Sequence, residues 1–142
     1  MRHIQVACAI IERDGKVMAA QRSAAMSMPL KWEFPGGKIK AHETPADGLH
    51  RELVEELGVK VEVLRAMPPA THRYSNFIVT LHPFVCVLAG GEPRNNEHAA
   101  LVWLPPEALP SLDWAEADWP IIADYRRLRD SALGEHAAKQ PS

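Results

Sequence analysis

The stretch that most restricts this chain is Gly36–Val59, GGKIKAHETPADGLHRELVEELGV. Thr44 suits a helix N-cap, Pro45 suits the first helical turn, and Asp47 completes the spacing of a capping box. Gly58 falls where helices end in left-handed backbone. These signals predict a helix over Thr44–Leu57. On a wheel of about 100° per residue, Leu49, Leu53 and Leu57 align, with Ala46 beside them, as the buried stripe. Glu56 then lies about 60° from that stripe, Glu52 about 100° and Glu55 about 160°. Acids at such spacings repel by about 0.2–0.5 kcal/mol per pair. A solvated face would mix in lysines, but none occurs between Lys40 and Lys60, and Arg51 is the helix's one cation. An acidic surface is the plain reading of such a run. Two features favour another reading. Glu56 abuts the apolar stripe, where an unpaired charge is costly, and the acids closely follow a Gly-Gly loop. Carboxylates grouped this way suit Mg²⁺, which takes carboxylates together with phosphate oxygens and water.

The rest of the chain reads mainly as strands. Ile4–Ile11 is apolar and rich in β-formers, RDGK at Arg13–Lys16 carries an Asp-Gly turn, and VMAAQR resumes the pattern, which predicts a hairpin. WEFPGGK reads as a loop, because Pro35, Gly36 and Gly37 interrupt any periodicity. Val59–Leu64, THRY and FIVTLHPFVCVLAG read as strands, the last two joined at Ser75-Asn76, and Pro83 points to a bulge or an edge position. GGEPRNNEH reads as a polar loop, ALVWL as a short strand, PPEAL as a helical turn and Ala117–Leu133 as a second helix. Residues 1–133 are expected to form a single domain and 134–142 a frayed tail. Strands with one central and one C-terminal helix indicate an α+β fold, or a layered α/β/α domain.

A chain of 142 residues buries about two-thirds of its unfolded surface, enough for a real core. Its net charge of −2 argues against a nucleic-acid or membrane-surface partner. Cys8 and Cys86 sit singly in apolar runs and are expected as buried free thiols. With no signal-peptide pattern and no apolar stretch long enough to span a bilayer, the expected location is cytoplasmic. The seven histidines contain no H-E-x-x-H pair, and His98 beside Glu97 reads as a solvated loop residue. Arg126, Arg127 and Arg129 read as a solvated helix face.

Gly37, Glu43, Arg51-Glu52-Leu53, Glu55-Glu56 and Gly58-Val59 fill nine specified positions over twenty-three residues, and they resemble the complete Nudix box. The segments VACAIIERDGKVMAAQR, WEFPGGK, NNEH, ALVWLPPEAL and ADWPIIADYRRL are similar to the MutT-like branch, including its CTP-pyrophosphohydrolase-like members. The resemblance implies an α/β/α sandwich around a mixed sheet. It also implies Mg²⁺-dependent hydrolysis, with Mn²⁺ as substitute, of a nucleoside diphosphate linked to another group. In MutT-like members water attacks a nucleoside triphosphate, releasing the monophosphate and pyrophosphate.

By the same resemblance, Glu52, Glu55 and Glu56 match metal ligands, joined by a carbonyl of Gly36 or Gly37 and by a later carboxylate, best matched by Glu97. Either Glu52 or Glu97 would be the general base. Glu43 and Arg51 would form a structural ion pair. Lys40 and His42 stand where relatives often carry an acid and a glycine, so His42 would be strained if its φ were positive. Lys38 is expected to meet a β or γ phosphate, and Arg22 either a phosphate or solvent. Asp118 stands where relatives read the base, with asparagine in guanine-reading members and aspartate in cytidine-hydrolysing ones. It could equally cap the C-terminal helix. Phe34, Trp32 and Phe77 are candidate apolar walls.

The expected activity is thus nucleotide-pool sanitation on CTP, dCTP or 5-substituted dCTP, with 8-oxo-dGTP as the close alternative. A nucleotide sugar or dinucleoside polyphosphate is a more distant one. A non-catalytic nucleotide-binding module is the alternative of another class. The expected partner is a small nucleotide, bound by a monomer.

Overall fold

The computed structural model describes the backbone of residues 1–139 and the surroundings of side chains as far as residue 132. Eight strands and two α-helices follow in the order β1 (Arg2–Arg13), β2 (Lys16–Gln21), β3 (Trp32–Glu33), β4 (Gly36–Lys38), α1 (Pro45–Leu57), β5 (Lys60–Ala66), β6 (Ala70–Arg73), β7 (Phe77–Gly90), β8 (Ala100–Leu104) and α2 (Trp119–Lys139). Short 3₁₀ turns at Pro106–Ser111 and Glu116–Asp118 lead into α2.

The strands form one mixed sheet with the order β3-β2-β1-β7-β5, to which β4 adds on β1, β6 on β7 and β8 on β2. β1 and β7 run parallel along nearly their whole length, from Arg2 opposite Phe77 to Glu12 opposite Val87. Their apolar runs are continuous because both faces are covered. Cys8 and Ile10 join one core with Leu109, Trp114, Ile121 and Tyr125, while Ala7, Ala9 and Ile11 join another with Leu49, Leu53 and Leu57 of α1. The sheet is thus the middle layer of an α+β sandwich.

The hairpin turns at Asp14 and Gly15, both left-handed (φ 52° and 76°), as a tight Asp-Gly turn requires. Helix α1 forms with the expected ends. Thr44 Oγ1 accepts from Asp47 N–H (3.1 Å), and Gly58 at φ 67° turns the chain back so that its N–H reaches Val54 O (3.0 Å). Helix α2 starts at Trp119 and continues past Leu133 to Lys139, while residues 140–142 lie outside the described residues. Among the described residues no helix is long and apolar enough to cross a membrane.

Two expectations are corrected. WEFPGGK is not a loop, because Trp32–Glu33 pairs with β2, and Gly36–Lys38 pairs with β1 through Cys8–Gly36, Ala7–Gly37 and Val6–Lys38. A neighbour distant in sequence supplies the ladder that local breakers seemed to forbid. Pro83 is not at an edge, since β7 is flanked by β1 on one side and by β5 and β6 on the other. Its carbonyl accepts from Met67 N–H (2.9 Å), so its missing N–H faces the connection between β5 and β6, where the ladder is already interrupted. A register shift in β5 lies close by, between Val63 and Arg65.

Leu53 is fully buried between α1 and the sheet. Leu53→Ala is expected to cost about 2–5 kcal/mol in unfolding free energy, measured by denaturant melts against wild type.

Candidate active site

β4 is the wall between two halves of the site. Gly36 lies so close to β1 that a Cβ there would collide with the Ala7 carbonyl and sit 2.8 Å from Cys8 Cα. A Cβ on Gly37 would instead collide with the carboxyl group of Glu52. The glycine pair therefore lets backbone press against β1 on one side and against a carboxylate of α1 on the other.

On the α1 side, Arg51 organises the acids. Its Nε and Nη2 donate to the two oxygens of Glu43 (2.6 and 2.9 Å), its Nη1 to Glu52 Oε1 (2.8 Å) and Glu55 Oε2 (3.4 Å), and Nη2 also to Lys38 O (3.0 Å). The guanidinium beside Glu43, with the Lys40 N–H, lowers that carboxyl to about 2. Glu43 raises Arg51 in return, with Glu52 adding to the effect. His42 is not among the residues with positive φ, and such backbone occurs instead at Met28 (49°) and Leu30 (63°) of the loop after β2.

Glu56 is the buried member of the acidic arc, at 3% exposure. Burial, with Glu33 and Glu97 adding their charges, pushes its carboxyl up to about 9, although the Gly36 N–H donates to it. Its Oε1 is buried without a hydrogen-bond partner. Glu55 is exposed and Glu52 half-buried. Among the described residues no three such side chains already converge on one point.

Glu97 lies exposed on the loop after β7. That loop is tied to the C-terminal end of α1 by Arg94 N–H to Leu57 O (2.9 Å) and to β2 by Ala99 N–H to Gln21 O (2.8 Å). His98, expected in solvent, is buried instead. Its Nε2 is 2.8 Å from Glu33 Oε2 and its Nδ1 3.2 Å from Glu56 Oε1. The docked loop turns this residue inward, which local sequence does not reveal.

On the α2 side lies a cavity of about 430 Å³. Arg22, Phe34, Gly36, Gly37, Lys38 and Asp118 all line it, over an apolar floor that includes Val6, Cys8, Val79 and Leu81. Phe34 is held by Trp114 (centroids 4.8 Å apart), and Phe77 stacks on Tyr74 (4.9 Å) at the wall. Trp32 packs against the core rather than lining the cavity. Arg22 donates to Glu33 Oε1 (2.7 Å), Ser27 O (2.6 Å) and Ser27 Oγ (3.1 Å), which engages three of the five donors a guanidinium has.

Asp118 accepts from Phe34 N–H (3.4 Å), and no amide of the first turn of α2 donates to it. Its full burial, with Glu33 nearby, raises its carboxyl well above the ordinary value. Burial likewise raises the Cys8 thiol, with Asp118 and Glu33 adding. Glu33 escaped the sequence reading. The available signal was an acid set between two aromatics, Trp32 and Phe34.

The carboxylate helix thus lies against the glycine pair, with the chamber behind it. The chain belongs to the Nudix family, and residues 1–125 match the NUDIX domain. It is 39% identical to the CTP pyrophosphohydrolase of Escherichia coli K12, over 91% of this chain and 96% of that protein. It is 40% identical to the putative 8-oxo-dGTP diphosphatase 2 of Mycobacterium tuberculosis H37Rv, over 96% and 97%. The solution structure of the E. coli ORF135 protein superposes with a TM-score of 0.80 at 38% identity, covering 92% of this chain and 94% of that one. MutT from Methanosarcina mazei shares the fold at a TM-score of 0.81 and 20% identity, over 90% and 96%. Nudix hydrolases act on small nucleotide substrates and generally use divalent metal ions.

The site's chemistry fits such an ion. Its donors are carboxylate and carbonyl oxygens, which hard cations prefer, and the orphaned Glu56 oxygen needs a partner. Without metal, the folded protein keeps a proton on Glu56 that the unfolded chain releases above its ordinary value of 4.5. Stability from this group is therefore full below that value and lost as pH rises toward about 9. In chelator, the thermal midpoint is expected to fall across that window, and Glu56→Gln to flatten the fall, as read by melts at successive pH values.

Proposed function

We propose that this chain is a Mg²⁺-dependent nucleoside triphosphate pyrophosphohydrolase, with Mn²⁺ as substitute, that clears cytidine-type nucleotides such as CTP, dCTP or 5-substituted dCTP. The products are the monophosphate and pyrophosphate. Glu52, Glu55, Glu56 and Glu97, with a carbonyl of Gly36 or Gly37, would hold the metal. When bound, the ion neutralises phosphate oxygens and makes water a stronger acid. Arg51 aims Glu52 and links it to Glu43. Glu52 or Glu97 accepts the proton of the attacking water. Lys38, at the cavity's edge, offers its ammonium to a phosphate, and the two N–H groups that Arg22 has left can do the same. Phe34 walls the base.

Buried Asp118 carries the base preference. Its raised pKa favours the neutral carboxyl, which has one donor and one acceptor side by side. Cytosine presents an N4–H donor next to the N3 acceptor, so two hydrogen bonds form. The second reading is 8-oxo-dGTP, whose base also pairs a donor with an acceptor, and one relative at 40% identity bears that activity in its name.

A pyrophosphate-release assay over a nucleotide panel, scored by kcat/KM with and without Mg²⁺, tests the proposal. Cytidine-type substrates are expected to rank first. A guanine-type leader would replace the preference, and binding without release from any nucleotide would leave a non-catalytic module. As pH rises through the raised Asp118 value, the donor to N3 is lost, and the KM for CTP should climb by about 5–150-fold, the equivalent of about 1–3 kcal/mol. Asp118→Asn, which keeps a donor and an acceptor at every pH, should abolish that climb.

The base is assigned by a paired substitution. Glu52→Gln and Glu97→Gln should each lower kcat, by about 10²–10⁴-fold for whichever residue takes the proton. Near-normal turnover in Glu97→Gln alone assigns the proton to Glu52.

A further inference from the structure

Glu33 and Glu56 belong to different halves of the site. Glu33, on β3, lines the cavity and holds Arg22, whereas Glu56, on α1, belongs to the acidic arc. His98 fits between them, 2.8 Å from Glu33 through Nε2 and 3.2 Å from Glu56 through Nδ1. The side chains of His98 and Glu56 are 2% and 4% exposed, so water cannot replace the contact between them. The loop that delivers the ring is itself fixed, with His98 N–H bonded to Asn95 Oδ1 (2.9 Å) and Ala99 N–H to Gln21 O. A ring held in this way cannot tilt without moving both acids. The two contacts differ in quality. Glu33 is well aligned, whereas Glu56 Oε1 and His98 Nδ1 face each other without forming a hydrogen bond, and neither has another partner. Buried polar atoms left so close and unsatisfied mark a place where Glu56 is held for a purpose other than stability.

We propose that His98 is a positioning residue that couples Glu56 to Glu33, so that the metal-holding acids and the nucleotide cavity keep a fixed register. This rests on the functional reading above, because it takes Glu56 as a ligand. His98 itself need touch neither metal nor substrate, and it acts through the two acids. Groups that orient metal ligands from behind are typically worth about 10–100-fold in affinity.

Mn²⁺ binding to the nucleotide-free protein, followed by the resonance signal of the free ion, tests this without turnover. Glu56→Gln first identifies the site, by losing the binding that wild type shows. His98→Ala and His98→Phe, the second keeping a ring without nitrogens, are each expected to weaken Mn²⁺ binding by about 10–100-fold. Glu33→Gln should weaken it severalfold in the wild-type background and by less than about twofold on top of either His98 variant, the non-additive outcome of coupled residues. If His98→Ala does not fold, the same cycle is read from His98→Phe. Wild-type affinity in His98→Phe, or a Glu33→Gln effect that simply adds, overturns the proposal, because ring bulk or plain electrostatics would then suffice. A wild-type protein that binds Mn²⁺ through Glu56 yet hydrolyses no nucleotide removes the substrate reading and leaves the cycle to decide the role of His98. A wild type that binds no Mn²⁺ overturns both.

Discussion

The site depends on how closely the backbone of Gly36 approaches β1. No side chain fits between Gly36 and the Ala7 carbonyl, so β4 lies flat against the strand that runs through both cores. This contact sets where everything else can be. The next residue, Gly37, lies against the Glu52 carboxyl group, and Lys38 lends its carbonyl to Arg51. On the other face the same short strand borders the chamber lined by Phe34 and Asp118. A wall only a few atoms thick therefore separates the acids that would hold an ion from the space that would hold a base. The distance between them is fixed by main chain, which deforms less readily than a side chain.

Charge is handled differently on the two sides of that wall. On the α1 side, repulsion among Glu43, Glu52 and Glu55 is relieved by one guanidinium that reaches all three. Glu56 lies beyond that reach, and burial shifts it toward the protonated form. On the α2 side, burial does the same to Asp118, while Glu33 keeps cationic or polar partners in Arg22 and His98. Four acids are thus held by partners, and two are made unusual by burial. The unusual ones stand where a metal and a base are expected.

What could be read from sequence follows the range of the forces involved. Helix α1 was legible because its caps, its leucine stripe and its terminal glycine are local signals, and the wheel even put Glu56 at the edge of burial. The Asp14–Gly15 hairpin was legible for the same reason. The Gly36–Lys38 strand was not, because its partner lies about thirty residues earlier and glycine carries no strand propensity of its own. Pro83 was half legible, since its edge alternative fails while the irregular register close by agrees with the bulge alternative, and the gap that its missing donor meets is tertiary. The acids of the arc stood out by their spacing, Lys38 by its place after the glycine pair and Phe34 as a candidate wall, whereas the base-reading place of Asp118 came from the resemblance to the MutT-like branch. Glu33 and the inward turn of His98 were not legible, since the first depends on the pairing of β3 with β2 and the second on a loop docking against α1 and β2.

Cys8 has a consequence of its own. The residue lines the chamber floor, nearly sealed from solvent, and burial with two neighbouring acids keeps its sulfur in the thiol form. Oxidants and alkylating agents attack thiolates. The chamber floor thus carries its sulfur in the form those agents attack least.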